Sequence, residues 1–368
     1  MKCERWSYLL LLLTGVLCAC GRESVPDTGS GEPILFRAGM NLSAVATKAD
    51  DPDAPTKEDY LIADGRRVGV YATWTSTSGA ATDVFSKIPL TCTDNGPEAN
   101  PRYTWDYTPH KYWRTEGSYD FRAVFPMDVH TQFGTGGTRM VASYSMLSEN
   151  YDLLVAGSKR NLDAGEGRST VALDFKHACA AVRVLFQDGS TDPYRHYYLD
   201  SFEMQHLKAV GVLVYEGGVP SLASWNPSEY RTPSVMHWEA PDEAGRILIP
   251  DKYEDFKKVT QSDWVQWHFV IPQELNVNDG NKPAIRYSVD VEQYLSDGTL
   301  AYKSSLPIYT TLKLPLTYND GGVEREVVWE PGKMYTYYVQ IQAGSVYITI
   351  SVEDWDSYYV YVEDVIFG

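Results

Sequence analysis

The chain has 368 residues, too long for one small domain and ample for two. A formal net charge of -17, with no Lys/Arg-rich run, excludes a nucleic-acid binder, which needs a basic patch. The 43% apolar content suffices for real cores, and 27 Tyr and 10 Trp favour pleated, half-buried surfaces.

Lys2 and Arg5 form a basic start, followed by an apolar run from Leu9 through Val16 and Leu17. The run is too short to span a bilayer and has the layout of an export signal. It ends in Leu17-Cys18-Ala19-Cys20-Gly21, which resembles the bacterial lipobox and puts the lipidated residue at Cys20. Residues 1–19 are then the signal peptide and residues 20–31 a polar tether. Two or more acyl chains on Cys20 would hold the protein stably on a membrane leaflet, here the outer membrane; an ordinary cleaved signal is the alternative. The mature chain would keep Cys92 and Cys179. A disulfide between them is open in an oxidising compartment, but Cys179 lies in an apolar run and reads as a small buried hydrophobe.

From Ile34 to Ala46 apolar residues stand at every second position, one face of a strand. A breaker-rich loop, Asp50 to Pro55, follows. Further strands are expected over Val68–Trp74, Tyr112–Trp113, Tyr119–Phe125 and Asp152–Ala156. The polar stretch Ser158–Ser169 marks a domain boundary, giving domains over residues 32–165 and 166–368. The run Val171–Phe186 opens the second set of strands. Ala209–Tyr215, Arg246–Ile249, Trp264–Ile271, Ala284–Val291, Leu312–Leu316, Tyr335–Ile341, Val346–Val352 and Tyr358–Phe367 continue it. Many short strands with Gly, Pro and Asn punctuation, and little helical periodicity, predict an all-β chain of two sandwiches.

Several segments resemble the fimbrillin family of Bacteroidales pili. They are Trp113 with Tyr119-Asp-Phe-Arg-Ala and Pro126, then Asp152-Leu-Leu-Val-Ala, then Phe175-Lys-His-Ala with Ala181-Val-Arg-Val. Trp329-Glu-Pro-Gly-Lys with Tyr335, and Val352-Glu-Asp-Trp355, complete the set. Their order over residues 32–368, combined with the lipobox, makes the case. The resemblance implies two tandem transthyretin-like β-sandwich domains, lipoprotein export and display at the cell surface in a type V pilus. The implied partners are other pilin subunits in a head-to-tail polymer, with a host or bacterial surface receptor in addition. It also implies that a protease cuts after a basic residue, removes the first strand, and so opens a groove for a neighbour's C-terminal strand.

Two basic residues fit such a cut. Lys48 follows the first strand and would release all of it, but the family usually carries Arg there; Arg37 lies inside the strand. A retained first strand is the other reading, and would suit an anchor or tip subunit. The donor would be the tail, residues 356–368, with Tyr358, Val360, Val362 and Ile366 on one face. A tail this apolar must be covered, either as the domain's own last strand or in the next subunit.

Nothing in the sequence has the spacing of a hydrolase elbow, a zinc protease helix or a phosphate-binding loop, so no enzyme, cofactor or metal is expected. Asp51, Asp53 and Asp59 lack the Gly and terminal Glu of a Ca²⁺ loop and read as a solvated loop. His177 is either a metal ligand or a core or edge histidine. The rival function is a surface glycan-binding lipoprotein using Trp225, Trp238, Trp264 and Trp267 as an aromatic platform; Trp264 and Trp267 read alternatively as core or rim residues.

Overall fold

The computed structural model describes residues 31–40, 67–94, 103–134, 137–148, 151–228, 231–253, 255–256, 267–276 and 282–355. The chain is all-β. The first part holds β1 (Phe36–Met40), β2 (Val68–Thr75), β3 (Ala81–Asp94), β4 (Tyr103–Asp106), β5 (Ser118–Phe125), β6 (Thr131–Phe133), β7 (Met140–Ser145), β8 (Leu154–Asn161) and β9 (Val171–His177). After it come β10 (Ala180–Asp188), β11 (Arg195–Gln205), β12 (Val210–Tyr215), β13 (Trp225–Pro227), β14 (Val235–Glu239), β15 (Ile247–Leu248), β16 (His268–Val270) and β17 (Gln273–Glu274). The last are β18 (Ala284–Tyr294), β19 (Leu300–Lys303), β20 (Ile308–Lys313), β21 (Thr317–Asp320), β22 (Val323–Glu326), β23 (Val328–Trp329), β24 (Lys333–Gln342) and β25 (Ser345–Asp354).

The first seven-stranded unit closes on itself in the order β1-β4-β3-β2-β5-β8-β9. β3 makes closure work. It is 14 residues long and pairs β2 with one part and β4 with the other. The β2–β3 register shifts between Val70 and Thr73, and Lys87 takes a φ of 53°, a bulge that bends the strand from one sheet into the next. Inside lie Ile34, Phe36, Val70, Phe85, Trp113, Phe121, Leu173 and their neighbours. β2 and β5 are buried along nearly their whole length because their other face is covered too. That is why β2 reads as a continuous apolar run, while β5 has to bury Asp120 and Arg122 on its second face.

What covers them is a core shared by both halves. Tyr71 and Val124 from the barrel strands pack with Met140, Tyr144, Leu213, Trp225, Trp267, Phe269 and Trp355. The sheet over this core, β13-β12-β7-β6, draws two strands from each half. Arg122 projects from β5 into the same region and is fully buried. It pairs with Asp120 and donates to the backbone carbonyls of Phe121 and Glu216. Burial raises the Asp120 carboxyl even so, against the pull of Arg122 and Lys159.

The second sandwich packs β16-β10-β24-β25 against β14-β11-β18-β19, with β15 on β11 and β20 on β18. Phe186, Leu199, Phe202, Tyr287, Trp329 and Tyr337 fill the space between. β10 lies parallel to β24 over eight registered pairs. The run 171–186, expected as one opening to the second domain, is two strands. β9 closes the barrel between β1 and β8, and β10 starts the second sandwich after a break at Ala178-Cys179. The polar stretch at 158–169 therefore precedes the barrel's last strand. Cys92 packs on the barrel core, Cys179 lies in the shared core, and no disulfide joins them.

Candidate strand-exchange site

β1 is the strand on which the sequence reading centres. It runs parallel to β9, from Phe36 opposite Val171 to Met40 opposite Phe175, and meets β4 at Phe36 opposite Trp105. Ile34, Phe36 and Ala38 are buried, and Leu35 and Arg37 face outward. Over residues 34–38 the period-two pattern works as expected, with one face plugging the barrel; Leu42, Ala44 and Ala46 lie outside the described residues. Phe36 meets Phe85, Tyr107 and Phe121 edge-to-face at 5.5, 5.6 and 5.8 Å. The approach to the strand is pinned as well. The Ile34 amide donates to the Lys111 carbonyl at 2.8 Å, and the Tyr107 hydroxyl to the Ile34 carbonyl at 2.9 Å. Burial pushes the Tyr107 phenol up to about 12. β1 is the first of the barrel strands in sequence, and every other one has a barrel strand before it. β1 alone among the described residues can leave without breaking a connection between the rest.

The other end of the described chain lies at the shared core. β25 pairs with β24 across ten residues, Lys333–Asp354 to Gln342–Ser345, and among the described residues has no second neighbour. A turn over Glu330–Lys333 leads into β24, with Gly332 at a φ of 71° that suits glycine. Its carbonyl accepts from the Trp355 amide at 2.8 Å. The Trp355 ring is buried between His177, at 3.9 Å, and Phe269, at 5.4 Å, nearly parallel to both. His177 Nδ1 lies 2.6 Å from Asp152 Oδ2, both side chains buried.

His177 is therefore a core histidine with a carboxylate partner. Among the described residues no three His, Cys, Asp or Glu gather where they could hold a metal ion. Asp152 was legible only as the start of a strand; no sequence spacing links it to a histidine 25 residues on. Arg37 is exposed on β1 and paired in register with Ala172. Cys20, Lys48 and the donor residues Tyr358, Val360, Val362 and Ile366 lie outside the described residues, as does Trp264. The aromatic platform does not form as sequence suggests. Trp225, on β13, and Trp267, just before β16, are each only 4% exposed in the shared core. The Trp225 indole donates to the Ala178 carbonyl at 2.7 Å, and Arg183 covers the Trp267 ring at 4.1 Å.

Beyond the barrel, a cleft of about 800 Å³ opens between β20 and the β24–β25 hairpin, lined by Tyr197, Tyr287, Val289, Ile308, Leu312 and Val346. Among the described residues its two flanking strands, β20 and β25, are sheet edges. The second sandwich is thus open where the barrel is closed.

No curated protein matches the sequence. Among solved structures, the chain is similar to a fimbrial protein of Bacteroides vulgatus, 13% identical, with 88% of this chain and 99% of that one covered and a TM-score of 0.50. A proposed cell adhesion protein of Bacteroides uniformis is 14% identical, with 88% and 99% covered and a TM-score of 0.47. The tip fimbrial protein Mfa3 of Porphyromonas gingivalis, truncated at its C-terminus, is 11% identical with the same coverage and a TM-score of 0.37. At such identities the first likeness speaks to the fold alone. The family is carried by sequence: the model described as "Fimbrillin-like" matches residues 47–355, most of the chain, and the chain belongs to the fimbrillin-like family.

Proposed function

We propose that this protein is a non-catalytic subunit of a cell-surface type V pilus, exported as a lipoprotein through Cys20 and joined to its neighbours by strand exchange. One observation carries the reading. The barrel is closed by the first of its strands in sequence, whose apolar face fills the core and whose loss leaves the other six strands connected. Cleavage after Lys48 would take β1 away. Ile34 and Phe36 would leave an apolar groove, with unpaired backbone along β9 and β4. Refilling it restores about 1.5–3 kcal/mol for each large side chain and about 1 kcal/mol for each ladder hydrogen bond. The tail of a second copy, 356–368, has the alternating apolar residues to do so. Donor and acceptor are different segments of the chain, so the contact is heterologous and propagates as a filament.

A second reading keeps β1 in place, as in an anchor or tip subunit. The bonds from Tyr107 and Lys111 that fix Ile34 favour it. The N-terminal residue of the protein on cells separates the two. Ala49 means processing at Lys48, Ala38 means processing at Arg37, and lipidated Cys20 means retention. Trypsin-treated protein should give a ladder of SDS-resistant multimers. Deletion of 356–368 should abolish the ladder. A ladder that survives the deletion would remove the tail from assembly.

A further inference from the structure

The outward face of the six-stranded sheet carries a cleft that the assembly reading does not use. It has a volume of about 340 Å³ and lies where β11, β15 and the β18–β19 turn meet. His196 and Tyr198 stand on one face of β11, two residues apart, with Tyr194 in the turn just before the strand and Leu248 and Tyr294 beside them. Tyr194 and Leu248 are each 42% exposed. The His196 and Tyr294 rings meet edge-on at 5.4 Å. Aromatic side chains with open faces, at the outside of a sheet, normally answer to a ligand or partner.

Polar groups are fixed around these rings. Glu292, 7% exposed, accepts from the Tyr294 hydroxyl at 2.6 Å and from Arg246 at 3.4 Å. Arg246 also donates to Asp290 at 2.5 Å, and its guanidinium lies 4.9 Å from the centre of the Tyr198 ring. Lys303 reaches Glu292 at 3.6 Å and pairs with Glu243. Burial pushes the Glu292 carboxyl up, but the Tyr294 hydroxyl and Arg246 outweigh it and hold the group ionised. The cleft thus joins flat apolar faces to locked hydrogen-bonding groups, within the size range of small-ligand sites.

We infer that the cleft of Tyr194, His196, Tyr198 and Tyr294 binds a neutral saccharide. Ring faces suit the C–H face of a pyranose, and carboxylate and guanidinium together suit its hydroxyls. A peptide strand is a poor fit, because β11 is already paired with β18 along its whole length and with β15 at Tyr198 and Leu199. A polyanion is disfavoured by the net charge of -17.

The test uses the purified mature chain with lactose, cellobiose and maltose, followed by saturation-transfer NMR and calorimetry. At least one should bind with a Kd of about 1 mM or tighter, and Tyr194→Ala should weaken it about tenfold with an unchanged melting temperature. Tyr294→Phe, which keeps the ring and removes the donor to Glu292, should weaken it less. No binding by any of the three, binding that ignores both variants, or binding only to an acidic sugar such as a heparin oligosaccharide would overturn the inference. Tyr194→Ala should still form the SDS-resistant ladder. Sugar binding without a ladder would sink strand exchange and leave the cleft standing.

Discussion

In the barrel every strand has two neighbours; in the second sandwich β20 and β25 have one each among the described residues. The barrel core is sealed, while the sandwich core opens to solvent through a cleft of about 800 Å³. The contrast teaches where each half can take a partner. An open edge accepts a strand as it stands. A closed barrel must first lose a stave, and only a terminal stave can be lost without cutting the fold apart. The two halves nevertheless share one core, so damage to either should be felt by both.

Alkaline titration should give the largest effect, because it strikes all three cores. Tyr107 in the barrel, Tyr215 in the shared core and Tyr287 in the second sandwich are each raised by burial to about 12, against 10.0 for the free phenol. A raised folded value means that stability is fully present below pH 10 and is lost as pH climbs from about 10 through about 12. Circular dichroism and tyrosinate absorbance should fall and rise together there, in one transition if the shared core couples the halves. Two separated transitions would show that it does not.

Phe36→Ala comes next. It removes a ring that touches three others, and should cost about 3–5 kcal/mol, read by chemical denaturation. Ile350→Ala on the edge strand β25, half-buried, should cost less, about 1–2 kcal/mol. Equal costs would erase the distinction between stave and edge. Arg122→Ala sharpens the coupling: losing the partner of buried Asp120 should cost about 3–5 kcal/mol and loosen the loop at Glu216 as well as β5, visible by hydrogen exchange. The smallest effect is expected from Tyr347→Lys. The residue is 55% exposed on β25, so stability should shift by no more than about 0.5 kcal/mol. A charge there should still lower self-association in light scattering.

Much of this was legible in the sequence for physical reasons. β2 announces itself as an apolar run, and β1 as an alternation, because both patterns follow directly from which faces are covered. The turn at Pro331-Gly332 is legible because its chemistry is local. β3 was not legible: Pro89 and Lys87 break the pattern, since the strand bends between sheets. β11 was hidden by His196, Asp200, Ser201 and Glu203, which point outward or pair with other polar groups. The split at Ala178-Cys179 carries no Gly or Pro, so one apolar run concealed two strands in different sheets. The stack of His177, Trp355 and Phe269 unites residues from three distant segments, and nothing local in any of them foretells the others.

That stack lies at the seam between the two halves, and the chain passes through it just before its last segment. A pull along β25, applied to whatever follows Trp355, would not peel the hairpin open from its tip. It would load ten backbone pairs in shear at once and draw the indole against the two rings that clasp it. The seam would then act as a strain relief, passing tension from the rope-end of the molecule into both of its halves together.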